Sequence, residues 1–447
     1  MDIPSDYLPI LGEGRRVPSH LIALLPPPMD CPGSREIEAA LASSGLAPAD
    51  FRVAQGEPFD GCEWVLEAAC EREGENEPLE FQVWARSCER LPETLYESAR
   101  LTGAEQEEIT ACRWTVGVSL EFGQAPLSDL HRQMGILSAA APEALLVLDD
   151  GGGGPYAGEL IRQMASSLAP PSPMSLYSIH AVSPEKGDGP VWLHTHGLLR
   201  CGIVELEMLD VPGEHSGALG ELMNVVAPML IETGLPEPGE PFVAGDGISL
   251  VWLPWQEAIH LCPPRSAGGI DDRDQWHAKP SGVLMAPRSG LLRRRYGPPS
   301  KYLRRMLGDP ILYVSNMETE RMSLLARERL GEFLELLDEY GADTGSFAFL
   351  VKLGYQIDSA ESATEREHLW FRVLKHEEGK VFATLTNRPY RIARMAEGRD
   401  DWHSLDLMSD WAILCAYGHF SPDTVVHLRR QIAEQGPPGE AAGADHP

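Results

Sequence analysis

The chain has 447 residues, and its 67 acidic and 37 basic side chains give a formal net charge of -30. A field of that sign repels nucleic-acid phosphates and anionic membrane surfaces, so it argues against nucleic acid or membrane as a partner. The sequence lacks both the run of about 18 apolar residues that a membrane helix needs and a signal-peptide core, so we expect a cytoplasmic protein of about three domains.

The first part of the chain alternates strands and helices. Residues 1–16 and 435–447, rich in Pro, Gly and acidic side chains, are predicted to be flexible tails. Apolar alternation predicts strands at SHLIALLP, WVLEAACE, LEFQVWARSC, RWTVGVSLEF and ALLVLDD. Helical spacing predicts helices at SREIEAALASSG, LPETLYESARLTGAEQEEITAC, PLSDLHRQMGILSAAAP and GELIRQMASSL.

A second round of elements follows. Strands are predicted at MSLYSIHAVS, PVWLHTHGLL, VELEMLDV, GISLVWLPW, ILYVSN and SFAFLVKLGY. Helices are predicted at SGALGELMNVVAPMLIETG and, as one long amphipathic helix, at ERMSLLARERLGEFLELLDEYG. These patterns predict an α+β fold of mixed sheets with packed helices. The two rounds of elements divide it into subdomains 17–170 and 171–354, which two related halves of the chain would form. Residues 355–420 have short strands with close turns and predict a separate small β-rich domain.

The C-terminal domain contains an acid-aromatic opening, a Gly-started strand that ends in Asn-x-Pro, and a closing Asp-Trp pair. The residues that make up this pattern are Glu367, His368, Trp370, Gly379, Leu385, Asn387, Pro389, Asp410 and Trp411. The pattern resembles the uncharacterised bacterial domain of unknown function 2314 (DUF2314), although Arg388 stands where that family often has an acidic residue. Trp370 and Trp411 are large enough to build a small core, or alternatively to line an aromatic peptide-binding groove.

The preceding 330 residues are similar to a second family. The stretches WLHTHGL and CRWTVGVSLEF resemble the region known as DUF4026, which accompanies a DUF2314 domain in some bacterial proteins. The two resemblances together cover most of the chain. Neither family implies a catalytic residue for this sequence.

The stretch PVWLHTHGLLRCGIVELEM carries the main candidate site. His194 and His196 share one face of a strand, as do Glu205 and Glu207, because side chains alternate with a period of two. If the glycines at 197 and 202 turn the chain, the two pairs lie side by side and His180 on the preceding strand can join them. Imidazole and carboxylate together suit Zn, Mn or Fe, with Glu205 or Glu207 as ligand or base. The alternative is a hairpin whose histidines and glutamates form structural polar pairs.

Two further stretches have a functional and a structural interpretation. The stretch LLVLDDGGGGPYAGELIRQ places a glycine run between a strand and a helix. Such a run is typical of an anion-binding loop. The alternatives are a Mg²⁺ site formed by Asp149 and Asp150, or a flexible loop without a ligand. PRSGLLRRRYGPPSKYLRRM is a basic segment in an acidic chain. It predicts either a solvated face or a docking surface for an acidic partner or a second copy, with Arg293, Arg294 and Arg295 as candidate contacts.

Signatures of familiar enzymes are missing from the sequence. It has no Gly-x-Ser-x-Gly elbow, no His-Glu-x-x-His element and no Cys-x-x-Cys pair, and DDRDQWH is interpreted as a surface turn. The first hypothesis is therefore a non-catalytic cytoplasmic protein-binding protein, by analogy an immunity-like one, without a cofactor. The alternative is a metal-dependent hydrolase that uses the His194/His196 hairpin with a divalent metal such as zinc.

Overall fold

The computed structural model describes residues 4–438 apart from positions 13, 15, 55–60, 73–75, 89–100, 102, 153, 184–188, 264, 275, 276, 278, 289–294, 308–315, 361, 363 and 364. The chain divides into two compact units. The first consists of Met1–Ser166 and Pro170–Ser315, and the second of Ser167–Ala169 and Asn316–Pro447. Both contain sheets and helices, which confirms the predicted α+β class.

The first unit contains two sheets. The strands of the first sheet are β1 (Ser19–Leu24), β2 (Ala49–Val53), β3 (Cys62–Cys70), β4 (Leu79–Ser87), β5 (Trp114–Leu120), β6 (Leu146–Asp149) and β7 (Tyr156–Ala157). Their order is β2-β3-β4-β5-β1-β6-β7, and neighbouring strands are antiparallel. The helices of this half are α1 (Leu8–Leu11), α2 (Ser34–Ser43), α3 (Gly103–Thr110), α4 (Pro126–Ala140) and α5 (Gly158–Ser166).

The second sheet of this unit carries the candidate site. Its strands are β8 (Ser178–Val182), β9 (Val191–His196), β10 (Glu205–Val211), β11 (Phe242–Gly245), β12 (Ile248–Pro254), β13 (Ser281–Arg288) and β14 (Arg295–Gly297). The order is β11-β12-β13-β10-β9-β8, with β14 paired to β13. The β10–β13 pair is parallel and the other pairs are antiparallel. The helices are α6 (Ser216–Thr233), α7 (Trp255–Ala258) and α8 (Leu303–Met306).

One hydrophobic core contains residues of both sheets. Leu130 of α4 and Leu222 of α6 belong to the same buried cluster, so the two sheets form a single unit. Tyr7, which lies in the predicted N-terminal tail, is fully buried there. Its hydroxyl donates to the Ser281 carbonyl at 2.6 Å and accepts from the Trp255 N–H at 3.2 Å.

The second unit is built on an antiparallel sheet of order β18-β17-β16-β15-β19-β20. The strands are β15 (Phe347–Gln356), β16 (Arg366–Glu377), β17 (Lys380–Leu385), β18 (Asp400–Ser404), β19 (Met408–Cys415) and β20 (Gly418–Phe420). The helices are α9 (Asn316–Glu328), α10 (Leu330–Tyr340) and α11 (Val425–Gln435). The longer of its two chain segments begins at Asn316, before residue 355, where the sequence pattern predicted the start of the C-terminal domain.

Some predicted elements differ from the observed ones or cannot be compared with them. The predicted long helix at 320–341 is two helices, because the chain leaves the helical conformation at Arg329 (φ -98°, ψ 13°). The predicted strand ILYVSN corresponds to residues 311–316, of which 311–315 lie outside the described residues. Asn316 is the first residue of α9. The predicted tail from residue 439 onward also lies outside the described residues. No helix within the described residues is long and apolar enough to cross a membrane.

Candidate metal centre

The predicted hairpin is confirmed, and it aligns polar residues across three strands. In the antiparallel pair β9–β10, Glu207 lies opposite His194. In the pair β8–β9, His180 lies opposite the same His194. The turn between β9 and β10 uses Gly197 and Gly202 at φ 117° and 80°, a backbone region that favours glycine. The sheet register therefore places one row of polar side chains across β8, β9 and β10.

Three imidazoles converge at this row. His180, His194 and His196 each offer a ring nitrogen, and the three nitrogens lie within 4.8 Å of one another. The Nε2 atoms of His194 and His196 are 3.2 Å apart. His194 is buried, His196 is half-buried and His180 is exposed. The cluster thus reaches from the interior of the sheet to solvent.

Burial keeps these imidazoles neutral at pH 7. Burial first, and then the neighbouring histidines, lower the pKa of His194 to about 3 and the pKa of His196 to about 4. Partial desolvation also lowers the pKa of His180, although its side chain is largely exposed. A neutral imidazole retains the lone pair that a metal ion needs, so the cluster requires no proton loss before it can act as a ligand set.

The spacing of His194 and His196 fits two ligands of a tetrahedral metal ion. A Zn–N bond of about 2.0–2.1 Å places two tetrahedral ligand atoms about 3.3 Å apart, close to the 3.2 Å between the two Nε2 atoms. The Nδ1 atom of His194 is buried without a hydrogen-bond partner among the described residues. Such an atom costs about 1–3 kcal/mol, and a metal ion bound at Nε2 would not remove that cost, because it would contact the other ring nitrogen. Imidazole ligands suit Zn, Cu, Ni or Fe.

Glu207 does not join the three histidines. Its carboxylate accepts from the Arg273 guanidinium, with the Nη1–Oε1 pair at 3.0 Å, and from the Trp192 indole N–H at 3.3 Å. The Arg273 and Glu207 side chains are each only 3% exposed. The guanidinium also lies over the rings of Trp192 and Trp255, at 5.1 and 4.2 Å from their centroids. Glu207 therefore neutralises a buried arginine beside the histidines.

Glu205 is bound into the hairpin turn. Its carboxylate accepts from the Thr195 hydroxyl at 2.7 Å and from the Gly197 N–H at 2.9 Å. The backbone N–H groups of Leu198 and Leu199 also donate to it, at 3.3 and 3.4 Å. Burial raises the pKa of Glu205, although these hydrogen bonds lower it. This carboxylate holds the turn that orients His196 and does not join the imidazole cluster.

His277 is a fourth imidazole at the site, and it was not among the predicted residues. Its ring centroid lies 4.8 Å from that of His194 and 5.6 Å from that of His196. Its Nδ1 is 2.8 Å from Oδ1 of Asp274. The sequence places it 81 residues after His196 in an irregular segment, so strand periodicity could not associate the two. The sequence feature that could have identified His277 is the aspartate three residues before it in DDRDQWH.

The glycine run after β6 packs against the hairpin backbone. A Cβ on Gly152 would lie 2.4 Å from the His196 carbonyl oxygen, and one on Gly197 would lie 2.9 Å from Gly152 Cα. Asp149 forms a bidentate pair with Arg200, with both N–O distances 2.8 Å and both side chains 1% exposed. The glycine run thus allows its backbone to lie close to the hairpin backbone. Because the Asp149 carboxylate is bound by the Arg200 guanidinium, it is not a free ligand for Mg²⁺.

Comparison with protein families covers both units. The N-terminal model of "Protein of unknown function (DUF4026)" matches residues 22–171, and the C-terminal model of the same family matches residues 179–285. The chain belongs to the DUF4026 family. A third model, "Uncharacterized protein conserved in bacteria (DUF2314)", matches residues 326–437. No curated protein and no solved structure matches the chain at a significant level. The histidine cluster lies in the DUF4026 C-terminal region.

Two characteristic residues of the DUF2314 domain, Glu367 and Asn387, form hydrogen bonds with its backbone. The Glu367 carboxylate accepts from the backbone N–H groups of Tyr390 and Arg391, at 2.7 and 2.9 Å. The Asn387 amide oxygen accepts from the Trp370 N–H at 2.9 Å. The φ angle of Asn387 is not positive, so the turn does not require asparagine for a left-handed backbone. The hydrogen bond of its side chain explains the preference for asparagine at this position. These contacts join β16 to the loop that follows β17.

The two candidate tryptophans of the DUF2314 domain differ in exposure. Trp411 is fully buried, its indole N–H donates to the Ala326 carbonyl at 3.0 Å, and its ring lies 5.1 Å from that of Phe333. Trp370 is half-buried, and the Lys352 ammonium lies 5.4 Å from its ring centroid. Of the two rings, Trp370 alone has surface that a partner could contact.

The basic segment is described only in part. Arg293 and Arg294 lie outside the described residues, and the backbone of Arg295 begins β14, opposite Arg288 of β13. Further along, the Lys301 ammonium donates to the Pro287 carbonyl at 2.6 Å, and the Arg305 guanidinium donates to the Asp246 carbonyl at 2.5 Å. These two described basic side chains are engaged by backbone of their own unit.

Proposed function

We propose that this chain binds a divalent transition metal ion, zinc in the first instance, through His180, His194 and His196, and that the site supports hydrolysis. The observation that carries the proposal is the convergence of three imidazole nitrogens within 4.8 Å of one another. A polar pair that served only to stabilise a hairpin would need no third imidazole from β8.

Hydrolysis is the chemistry that this ligand set favours. Three protein ligands leave one tetrahedral position for a water molecule, and a bound metal would lower the pKa of that water to about 7. The exposure of His180 opens this side of the cluster to solvent. His194 is fixed between β8 and β10 by the strand register, so the interior ligand is preorganised.

Metal analysis tests the proposal. Tag-free protein is stripped with chelator, reloaded with zinc, dialysed and analysed for bound metal, beside the His194→Ala/His196→Ala double variant. His215→Ala is the matched control, because His215 is a partly exposed histidine of the same unit with Glu214 as its ion-pair partner at 3.9 Å. We expect about one zinc per chain in the wild type and the control, and none in the double variant. Equal zinc content in all three proteins would refute the site.

An assay follows from the same proteins. Zinc-loaded wild type and the double variant are compared on a panel of activated carboxylic and phosphoric esters. Hydrolysis that requires zinc and disappears in the double variant supports the hydrolytic part of the proposal. Zinc binding without any metal-dependent hydrolysis would support the metal site and refute the hydrolytic part of the proposal.

A further inference from the structure

The segment that carries Arg273, Asp274 and His277 is fixed against the histidine cluster. Arg273 is bound by the carboxylate of Glu207, which lies opposite His194 in the β10–β9 pair. The same guanidinium donates to the His277 carbonyl at 3.2 Å and to the Gly268 carbonyl at 3.3 Å. The buried ion pair therefore sets the position of the His277 backbone relative to the cluster.

The ring of His277 is packed at the site itself. It lies edge-on to the Trp192 ring, with the centroids 5.0 Å apart, and edge-on to His194 at 4.8 Å. Its side chain is 22% exposed. Its Nδ1 is paired with Asp274, so the Nε2 atom is the nitrogen available for another partner. Metal-bound histidines commonly have their second ring nitrogen on a carboxylate in this way.

Ring spacing tests whether His277 lies close enough to bind the metal directly. A bond of about 2.0–2.1 Å places an imidazole centroid about 3.2 Å from a metal, and tetrahedral directions then separate two centroids by about 5.2 Å. The proposed ligands have centroid distances of 5.6 Å (His180–His194), 4.8 Å (His180–His196) and 4.9 Å (His194–His196). The distances from His277, 4.8 Å to His194 and 5.6 Å to His196, lie in the same range.

A water molecule between the metal and His277 would produce a different spacing. One metal–oxygen bond and one hydrogen bond of about 2.8 Å place the His277 centroid about 7 Å from those of the ligands. The observed distances of 4.8 and 5.6 Å are too short for that arrangement. They are short enough for the His277 ring to reach the fourth position of the tetrahedron.

We propose that His277 is the fourth ligand, so that the resting site is a four-imidazole centre held closed by the Glu207–Arg273 ion pair. This inference rests on the metal site proposed above and specifies its coordination. The metal in this resting site has an open position only when His277 leaves it, so the hydrolysis proposed above depends on that step. A variant without this imidazole would expose a position for water.

Cobalt(II), whose visible spectrum reports its ligands, provides the test. Wild type, His277→Ala and Asp274→Asn are titrated with Co²⁺ and then with azide. We expect the wild-type spectrum to resist azide and the His277→Ala spectrum to shift. Added imidazole should restore the wild-type spectrum in His277→Ala. The affinity for cobalt should fall at least tenfold in His277→Ala, and about 10–100-fold in Asp274→Asn with the spectrum retained, because Asp274 orients the ligand.

The outcomes separate this inference from the proposed function. An azide-sensitive wild type, or identical spectra for wild type and His277→Ala, would overturn the fourth ligand while leaving the three-histidine site intact. A wild type that binds no cobalt would overturn both. If His277→Ala does not fold, His277→Gln takes its place, since its side chain is of similar length and lacks the imidazole.

Discussion

Glu207 lies directly opposite His194 in the β9–β10 pair, yet its carboxylate is bound by the Arg273 guanidinium and the Trp192 indole. A charged carboxylate beside three imidazoles would ordinarily be the best additional ligand. In this protein its charge neutralises an arginine whose side chain is 3% exposed. The pair therefore links the sheet that carries the histidines to the segment that carries His277.

Replacement of Glu207 by glutamine should affect stability first. Glu207→Gln leaves the Arg273 charge buried without a counter-charge, which costs about 3–5 kcal/mol. We expect that loss in the urea unfolding of the metal-free protein, together with weaker zinc binding. Glu214→Gln, at an exposed carboxylate of the same unit, is the control and should change neither. Unchanged stability with loss of zinc would instead indicate that Glu207 is a ligand.

The glycine run offers a second prediction. Gly152→Ala would place a methyl group 2.4 Å from the His196 carbonyl oxygen, and the clash is hard to relieve because the three nearest atoms are all backbone. We expect a loss of about 1–3 kcal/mol in unfolding free energy and a reduced affinity for zinc, because the displaced strand end carries His196.

Gly154→Ala is the matched control for this variant. A Cβ at Gly154 meets no atom within 4 Å, so alanine fits there, and stability should stay within about 0.5 kcal/mol of the wild type. Equal behaviour of the two alanine variants in thermal unfolding would contradict the close approach of the run to the hairpin.

The contrast between Trp411 and Trp370 provides a third prediction. Trp411→Ala removes a fully buried ring and leaves the Ala326 carbonyl without its donor, so it should destabilise the second unit by about 3–5 kcal/mol. Trp370→Ala removes a half-buried ring and should cost about 1–2 kcal/mol. Urea unfolding followed by tryptophan fluorescence measures both. A Trp411→Ala variant as stable as Trp370→Ala would argue against a core role for Trp411.

Sequence patterns predicted part of the site and missed the rest for a physical reason. Strand periodicity placed His194 and His196 on one face of β9 and identified His180 on the neighbouring strand, because these adjacent strands are close in sequence. His277 and Arg273 reach the site through an irregular segment, whose path no local period encodes. The roles of Glu205 and Glu207 depend on which hydrogen-bond donors tertiary packing supplies, and the spacing of the glutamates does not contain that information.

The same limit applies to the fold. The break at Arg329 between α9 and α10 falls inside an uninterrupted apolar pattern, so periodicity predicted one helix. The strand β15 resembled the preceding elements in composition, but it pairs with β16 and β19 of the C-terminal sheet. Pairing between distant strands determines which sheet a strand joins, and it is decided by packing of the whole unit.

Asp410 provides a prediction of pH dependence. Burial raises its pKa from 3.8 to about 6, although the Trp411 N–H at 2.8 Å lowers it. The native state then binds this proton more tightly than the unfolded chain does between about pH 3.8 and pH 6. Stability from this group is therefore present at acid pH and is lost as the pH rises through that range, by about 3 kcal/mol at most.

Asp410→Asn removes the buried charge and keeps an oxygen that accepts the Trp411 N–H. We expect the variant to be more stable than the wild type at pH 8 by about 1–3 kcal/mol, and the two to converge near pH 4. Urea unfolding at several pH values measures the difference, with Asp406→Asn, at an exposed carboxylate of the same unit, as the control. An Asp410→Asn variant less stable than the wild type at pH 8 would mean that the native state stabilises the charged carboxylate, and the predicted loss of stability with rising pH would be wrong.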